Sequence, residues 1–537
     1  MDSVYLSKAT FTEVLRTPLT TTQLIFSLFV QNSSKSSALQ FQAHVEIQQV
    51  KVPGVGYPSF PILSSWVAAY RLLRDPVKLV REGIANYNHG PFRISTIQGE
   101  YVLINEKEKV AEYIRAPDDV LSFQDGANDQ QQIPFTMGYG VGYRTYHVPV
   151  IRMNLTKTMQ RHIPTMWDEL NSAFDDLIGS PDAGFLLALS FVSNNTFPPD
   201  FTIDPVLGVE QKIEERGNKE RIERLTQCKA RNKEFVKIAM DYAQAVVISA
   251  ELLRPFPDWI KWSLVKIMPV ASYRRQAIKY LSKTVQDCLD GKLDENGNKP
   301  DNMVQWLVDT APPVERSIPL IVERIMALFV ASIHTTTMTF TGAVYSLAAE
   351  PEKFIPAIRA EALEHFRDGN ITKEKLAKVY KIDSVLKEAG RFNNAGLMAM
   401  QRNAKKKFTF SDGTVIPAGA KIGTPSLILH RNEGSYENPN TFDAFRFSRP
   451  SEAADGPQAA AKNSMVSTGS DYHIFGHGKH ACPGRFYAVN EMKLLLASML
   501  IRYDMKLVPG TAPNQTFIAT MAVPDTKLKI LLKRRDN

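Results

Sequence analysis

The stretch FGHGKHACPGRF, Phe475 to Phe486, sets a single cysteine between a glycine-rich turn and an apolar helical run. A lone sulfur ligates a metal only as the thiolate. A thiolate needs backbone N–H donors, the positive end of a helix, and bulk that excludes water. Gly476, Gly478 and Gly484 permit tight turns and close backbone approach. Pro483 is expected in the first helical turn, where a missing N–H costs nothing. YAVNEMKLLLASML then continues with helical periodicity. The segment reads as a loop that presents Cys482 at a helix N-terminus. One soft axial thiolate suits haem iron, where it pushes electron density toward O–O cleavage. The competing reading is a buried free cysteine after a turn.

Three more groups of residues have types and spacings that could do chemistry or support it. ASIHTTT, Ala331 to Thr337, sets small residues and hydroxyls within an apolar stretch. A hydroxyl there can relay protons, or simply bond back to the carbonyl one turn earlier. His334 carries an imidazole that titrates near neutrality, so it is a proton relay or a polar residue satisfied by a neighbouring loop. Glu388 and Arg391 stand at i, i+3 on one helix face, so their side chains meet. Arg446, in PNTFDAFRF, is a forked cation able to join them.

Taken together, these motifs resemble those of the cytochrome P450 haem-thiolate enzymes. Phe475, Gly478, Cys482 and Gly484 match the family pattern F-x-x-G-x-R-x-C-x-G, with His480 at the usual arginine. Ala331 to Thr336 is similar to the oxygen-activation motif, with Thr335 at its threonine, Thr336 after it, and His334 where an acid is usual. Glu388 and Arg391 match E-x-x-R. Pro439 to Phe447 matches the element supplying the third member, Arg446, with Ala444 replacing a proline.

The resemblance implies a haem whose propionates take cationic partners: His480, Arg402 in MQRNAKKK, and Arg152, whose usual W-x-x-x-R tryptophan is absent here. It further implies a monooxygenase fed by an NADPH-dependent reductase. An apolar substrate would be lined by residues such as Ala327, Val330 and Leu397. The general form is similar to fungal enzymes of secondary metabolism, particularly those acting on terpenoids. Two rivals are a reductase-independent haem-thiolate isomerase or dehydratase, which often loses the helix threonine, and a catalytically silent haem-binding protein.

The elements that must position these residues are mostly helices. The chain has 537 residues, 44% of them hydrophobic and 22% charged, which is ample for a large core. The fold expected is mainly α with small β-sheets, a single large haem domain over residues 52–537 after an N-terminal segment, 1–51. Strands are expected near GPFRISTIQGEYVLINE and in KKFTFSDGTVIPAGAKI, where Ser411-Asp412-Gly413 signals a hairpin. Pro117 to His147 reads as a Gly, Asp and Gln-rich loop, the family's substrate lid. VPGVGYPSFP, Val52 to Pro61, resembles the family's proline-rich hinge.

Three cysteines, Cys228, Cys288 and Cys482, show no paired or metal-finger spacing, which fits a reducing compartment. The net charge of +8 is dispersed, so nucleic acid is not an expected partner. Near the N-terminus the apolar run LIFSLFV, Leu24 to Val30, is too short to span a bilayer alone. It stands as a degenerate anchor, an interfacial segment or a leader. The family resemblance implies the cytosolic face of the endoplasmic reticulum membrane. Leu252 to Pro269 mixes Trp259 and Trp262 with Lys261 and Lys266, a composition that suits a membrane interface or a helix end packed in the core. Ile325 to Ala349 is long enough for a transmembrane helix, but its threonines and embedded motif favour a helix crossing the core.

Overall fold

The computed structural model describes residues 52–58, 64–87, 90–177, 185–188, 233–294, 297–518, 520–525 and 527–535. The N-terminal segment and Cys228 lie outside the described residues. Helices dominate and the sheets are small, as the motif resemblance implies.

The N-terminal part is a sheet flanked by helices α1 (Ser64–Arg74) and α2 (Pro76–Asn86). Asp75 caps α2, its carboxylate accepting from the Lys78 N–H at 3.0 Å, with Pro76 opening the helix. Strands β1 (Phe92–Thr96), β2 (Gly99–Leu103), β3 (Leu121–Ser122), β5 (Ala399–Ala404) and β8 (Lys421–Thr424) form one sheet in the order β1-β2-β8-β5-β3. The Gly/Pro segment from Val52 is stitched to its edge. Arg93 N–H donates to Pro53 O at 2.8 Å, and Val55 N–H donates to Arg93 O at 3.0 Å. The expected hairpin is present as β6 (Phe408–Thr409) paired with β7 (Val415–Ile416). A second sheet joins β4 (Phe185–Ala188), β12 (Lys529–Arg534) and β9 (Tyr503–Leu507).

Two features of the first sheet matter for the site. The antiparallel pairing of β3 with β5 sets Ser122 opposite Asn403, so Phe123 emerges beside Arg402. The β5–β8 register shifts between Ala399 and Arg402, and Met400 takes a left-handed φ of 54°. Such a bulge bends the strand and re-aims the residues after it.

The segment from Pro117 to His147 differs from the expected loop. It holds three short helices, α4 (Phe123–Gln131), α5 (Ile133–Thr136) and α6 (Tyr139–Tyr143), after α3 (Lys107–Tyr113). The Ser122 hydroxyl caps α4 by accepting from the Asp125 N–H at 3.0 Å. Gln132, at φ 50°, breaks the chain between α4 and α5. The buried Asn128 amide donates to Gly142 O at 3.0 Å and ties the last helix back to the first. Phe135 and Val141 bury in the main core, but each helix is too short to show a helical repeat in the sequence.

The helical layer contains α7 (Thr156–Leu177), α8 (Lys233–Leu253), α9 (Asp258–Leu264), α10 (Pro269–Leu289), α11 (Met303–Thr310), α12 (Ile318–Ala349), α13 (Pro351–Phe366), α14 (Lys373–Lys378), α15 (Tyr380–Phe392) and α16 (Arg485–Arg502). Among the described residues α12 is the one helix long and apolar enough to cross a membrane. It packs on α8, α10, α15 and α16 within the main core. Its hydroxyls bond back along the helix: Thr335 to Ala331 O at 2.8 Å, Thr339 to Thr335 O at 3.1 Å, and Ser346 to Gly342 O at 2.8 Å. Gly342 lets α15 approach closely, since a Cβ there would lie 3.0 Å from the Asn393 side chain, which itself donates to Gly342 O. Thus the helix with the oxygen-activation sequence rests directly on the helix with the E-x-x-R pair.

Candidate active site

Cys482 sits where a loop closes on itself. Gly476 and Gly478 adopt φ of 65° and 73°, conformations that favour glycine, and a single 3-10 turn covers Gly478–His480. The chain returns at Cys482, whose N–H donates to Phe475 O at 2.8 Å. Helix α16 then starts at Arg485 with Gly484 as its N-cap, so Pro483 lies just before the first turn rather than inside it. Gly484 has an ordinary φ of −90°; its missing side chain leaves room for Ile151, 3.8 Å from where a Cβ would stand.

Burial pushes the Cys482 thiol pKa up, opposed by the backbone N–H groups of Gly484 and Arg485 and by the Arg485 charge. These donors can stabilise a thiolate once a cation shares the sulfur. Arg485 also donates to Cys482 O at 2.9 Å and to Val466 O at 3.2 Å, fixing the turn from both sides.

Ala331 and Thr335 are exposed although α12 crosses the core, while Val330, Ile333 and Thr336 around them are buried. At i, i+4 they share one face, so that face opens onto accessible space. Thr336 points into packing instead. His334 is half-buried, burial lowers its pKa, and it makes no hydrogen bond among the described residues. Ala327 and Val330 belong to the helical core, but Leu397 is fully buried with Leu72, Leu79 and Met398 in the sheet cluster. The expected grouping of Leu397 with Ala327 and Val330 is therefore not what the fold makes.

The three expected anion-binding side chains converge only in part. Arg402 is buried, and its one hydrogen bond among the described residues is to Gln401 O at 2.8 Å. Its guanidinium lies 5.1 Å from the centroid of the Phe123 ring, and His480 stacks on the same ring at 4.8 Å. Burial lowers the Arg402 pKa, with no carboxylate in hydrogen-bond contact. A buried cation without an anion is costly, which suits a site for a carboxylate supplied from outside the chain. His480 is already engaged, its Nε2 lying 2.7 Å from Asp118 Oδ1. Arg152 lies on a π-helical turn, Ile151–Leu155, and donates to Lys479 O at 3.3 Å. Phe123 and Asp118 were not singled out from the sequence; only the β3–β5 pairing and the return of the loop bring them here.

Glu388, Arg391 and Arg446 form a largely buried, densely hydrogen-bonded constellation. Glu388 and Arg391 are both fully buried on α15 and form a forked pair, Nε to Oε2 and Nη2 to Oε1, each at 2.7 Å. Arg446 Nε adds bonds of 3.1 Å to both Glu388 oxygens, and Asp443 N–H donates to Oε1 at 3.0 Å. The remaining guanidinium donors reach carbonyls: Arg391 to His430 O at 2.7 Å and Pro439 O at 2.8 Å, and Arg446 to Glu437 O and Thr441 O. The three residues singled out from the sequence therefore form one network.

A thiol under two N–H donors, an accessible small-residue face on a core helix, and an unpaired buried guanidinium fit a haem. Among the described residues no group of three or more His, Cys, Asp and Glu side chains is arranged for a metal ion. Comparison with known proteins agrees. The family model for cytochrome P450 matches residues 221–532. Cytochrome P450 monooxygenase 151 of Postia placenta is 32% identical over 90% of this chain and 94% of its own length. Ent-kaurene oxidase P450-4 of Gibberella fujikuroi is 28% identical, covering 90% and 93%. The chain belongs to the cytochrome P450 family of haem-dependent monooxygenases.

Two outcomes are expected. Arg391→Ala leaves the Glu388 carboxylate buried and half-paired, at a cost of about 3–5 kcal/mol. Haem content and soluble yield should collapse together, and normal yield with full haem would mean that the network is dispensable. The second concerns pH. Burial lowers His473 to about 4 and, with the His473 and Arg391 charges, pushes His430 well below 6.5. Both titrate near 6.5 when unfolded, so between about 4 and 6.5 the unfolded chain binds more protons. Their contribution to stability is complete above that window and lost as pH falls through it. The thermal midpoint should drop between about pH 7 and pH 5, and His473→Phe should flatten part of the slope.

Proposed function

We propose that Cys482 is the axial thiolate of the haem and that the chain oxidises an apolar small molecule with dioxygen. When bound, thiolate-ligated haem supplies the reductive cleavage of dioxygen and oxygen insertion into an unactivated C–H bond. The observation that carries this reading is the closed Cys482 loop, with the Gly484 and Arg485 N–H groups turned toward the sulfur.

The chain's own residues divide the remaining work. Arg402 and, on the same Phe123 ring, His480 would hold the propionate edge, with Arg152 joining through the Lys479 turn. Ala331, small and on the accessible face, would let α12 pass close over a bound haem. Thr335 places its hydroxyl on the accessible face, where it can exchange its bond to Ala331 O for one to a reactant. His334, kept neutral by burial, can accept and return a proton beside it. Thr336 backs this turn from the buried side. Electrons come from a separate NADPH-dependent reductase. A terpenoid is the favoured substrate class, supported by the similarity to an ent-kaurene oxidase. Retention of Thr335 speaks against a reductase-independent isomerase, and the intact loop together with Thr335 against a silent haem protein.

We place the haem domain, residues 52–537, on the cytosolic face of the endoplasmic reticulum membrane. Trp259 is 73% exposed and Ile267 83% exposed, with Lys266 exposed between them in sequence. Trp262 packs on Phe135 at 4.7 Å, which joins this corner to α5, and the exposed Tyr139 and Tyr143 on α6 follow. Exposed aromatics beside lysines are the composition of an interfacial contact.

The reduced protein with carbon monoxide should show the strongly red-shifted Soret band of thiolate ligation, absent in Cys482→Ala. An unshifted band in the wild type would remove the thiolate assignment. Thr335→Ala should keep that band while product per NADPH consumed falls roughly tenfold, measured with reductase and candidate terpenes; unchanged coupling would strip Thr335 of its role. The double variant Trp259→Asp, Ile267→Asp should weaken partition onto anionic lipid vesicles by roughly tenfold or more. Equal partition would place the membrane contact elsewhere.

A further inference from the structure

The buried Glu388–Arg391–Arg446 network and the Cys482 loop are far apart in sequence, and one side chain stands between them. His430 is fully buried. Its carbonyl accepts from Arg391 Nη1 at 2.7 Å. Its imidazole Nε2 lies 2.9 Å from the backbone nitrogen of His473. A backbone N–H can only donate, so Nε2 accepts from His473. The other ring nitrogen, Nδ1, lies 3.3 Å from Asn394 Nδ2. From His473 the path continues in backbone bonds. Gly476 N–H donates to His473 O at 2.8 Å, and Cys482 N–H donates to Phe475 O at 2.8 Å.

The ring is also held by its faces. Tyr472 stacks on it at 5.5 Å with planes 19° apart, and His473 at 5.3 Å and 24°. Gly390, one residue before Arg391, makes room for this stack: a Cβ there would meet the Tyr472 hydroxyl at 2.9 Å. Tyr472 is in turn covered by the Lys387 ammonium, 5.0 Å from its ring. Lys387, Gly390 and Arg391, on one face of α15, thus contribute to seating one imidazole against the start of the loop.

We propose that His430 is a positioning residue for the haem ligand, setting the height and orientation of the Cys482 loop relative to the buried arginine network. This rests on the reading of Cys482 as the haem ligand. The His430 carbonyl is fixed by Arg391 and its ring nitrogen fixes His473, so a displacement of either end is passed to the other. Removing the acceptor strands a buried N–H at the base of the loop, whereas the ring stack fills space without defining that bond.

The test separates these parts. His430→Phe keeps an aromatic ring between Tyr472 and His473 but has no acceptor, and His430→Gln restores an oxygen near the position of Nε2. In His430→Phe we expect haem to dissociate roughly tenfold faster, with part of the reduced carbon monoxide band moved to the unshifted position. His430→Gln should recover most of the wild-type band. A His430→Phe protein with wild-type dissociation and band, or a His430→Gln protein no better than His430→Phe, would overturn the proposal in favour of plain packing. Should His430→Phe fail to fold, amide hydrogen exchange of the wild-type holoprotein decides instead. The His473 amide must be protected far beyond the amides of Gly478 and Lys479, and exchange as fast as theirs ends the proposal. That measurement is independent of the sulfur: a wild type without the red-shifted band would fail the thiolate reading while the His473 amide still reported on the link.

Discussion

A carboxylate with no access to water has to be neutralised, and Glu388 is neutralised twice. Arg391 meets it from the same helix and Arg446 from the segment after Pro439, while the Asp443 N–H takes a further lone pair. Desolvating three charged groups is expensive, and only near-complete satisfaction of their donors offsets it. Each donor left over by Glu388 is aimed at a carbonyl of a segment that would otherwise be irregular: His430, Pro439, Thr441, Glu437. The network therefore fixes backbone that has no sheet or helix of its own to fix it. One bond, from the His473 N–H to the His430 ring, joins that backbone to the segment leading into the Cys482 loop.

The helix with Ala331 and Thr335 leans on the same element. Helix α15 carries Glu388 and Arg391 and packs against α12 at Gly342, so α12 is braced by the helix of the buried network. Much polar chemistry sits in this core. The hydroxyls of Thr335, Thr339 and Ser346 on α12 are satisfied one turn back, and the arginines of the lock by Glu388 and by carbonyls, so these groups do not demand water.

Departures from the family pattern find local compensation. His480 replaces an arginine yet shares the Phe123 ring with Arg402 and is held by Asp118. Ala444 replaces a proline and is fully buried, in a turn whose geometry the Asp443 bonds to Glu388 and to the Phe445 N–H maintain. His334 replaces an acid and has no hydrogen-bond partner among the described residues, and burial lowers its pKa.

What the sequence determined by itself was local chemistry with fixed spacing. The glycines around Cys482, the i, i+3 pair Glu388 and Arg391, the hydroxyl run after Ala331 and the Ser411–Gly413 hairpin are all specified by neighbours a few residues away, and each lies where its pattern places it. Tertiary structure alone decided what meets across long separations. Phe123 reaches Arg402 through the β3–β5 register, His430 reaches His473 through a ring nitrogen, and Leu397 turns into the sheet cluster rather than toward Ala327. The helices between Ser122 and Tyr143 escaped a periodicity reading for the same reason. They are short, their apolar residues Phe135 and Val141 pack into the main core, and the Asn128 amide ties them together. Such contacts leave no repeating trace in the chain, because their partners are brought near only by folding.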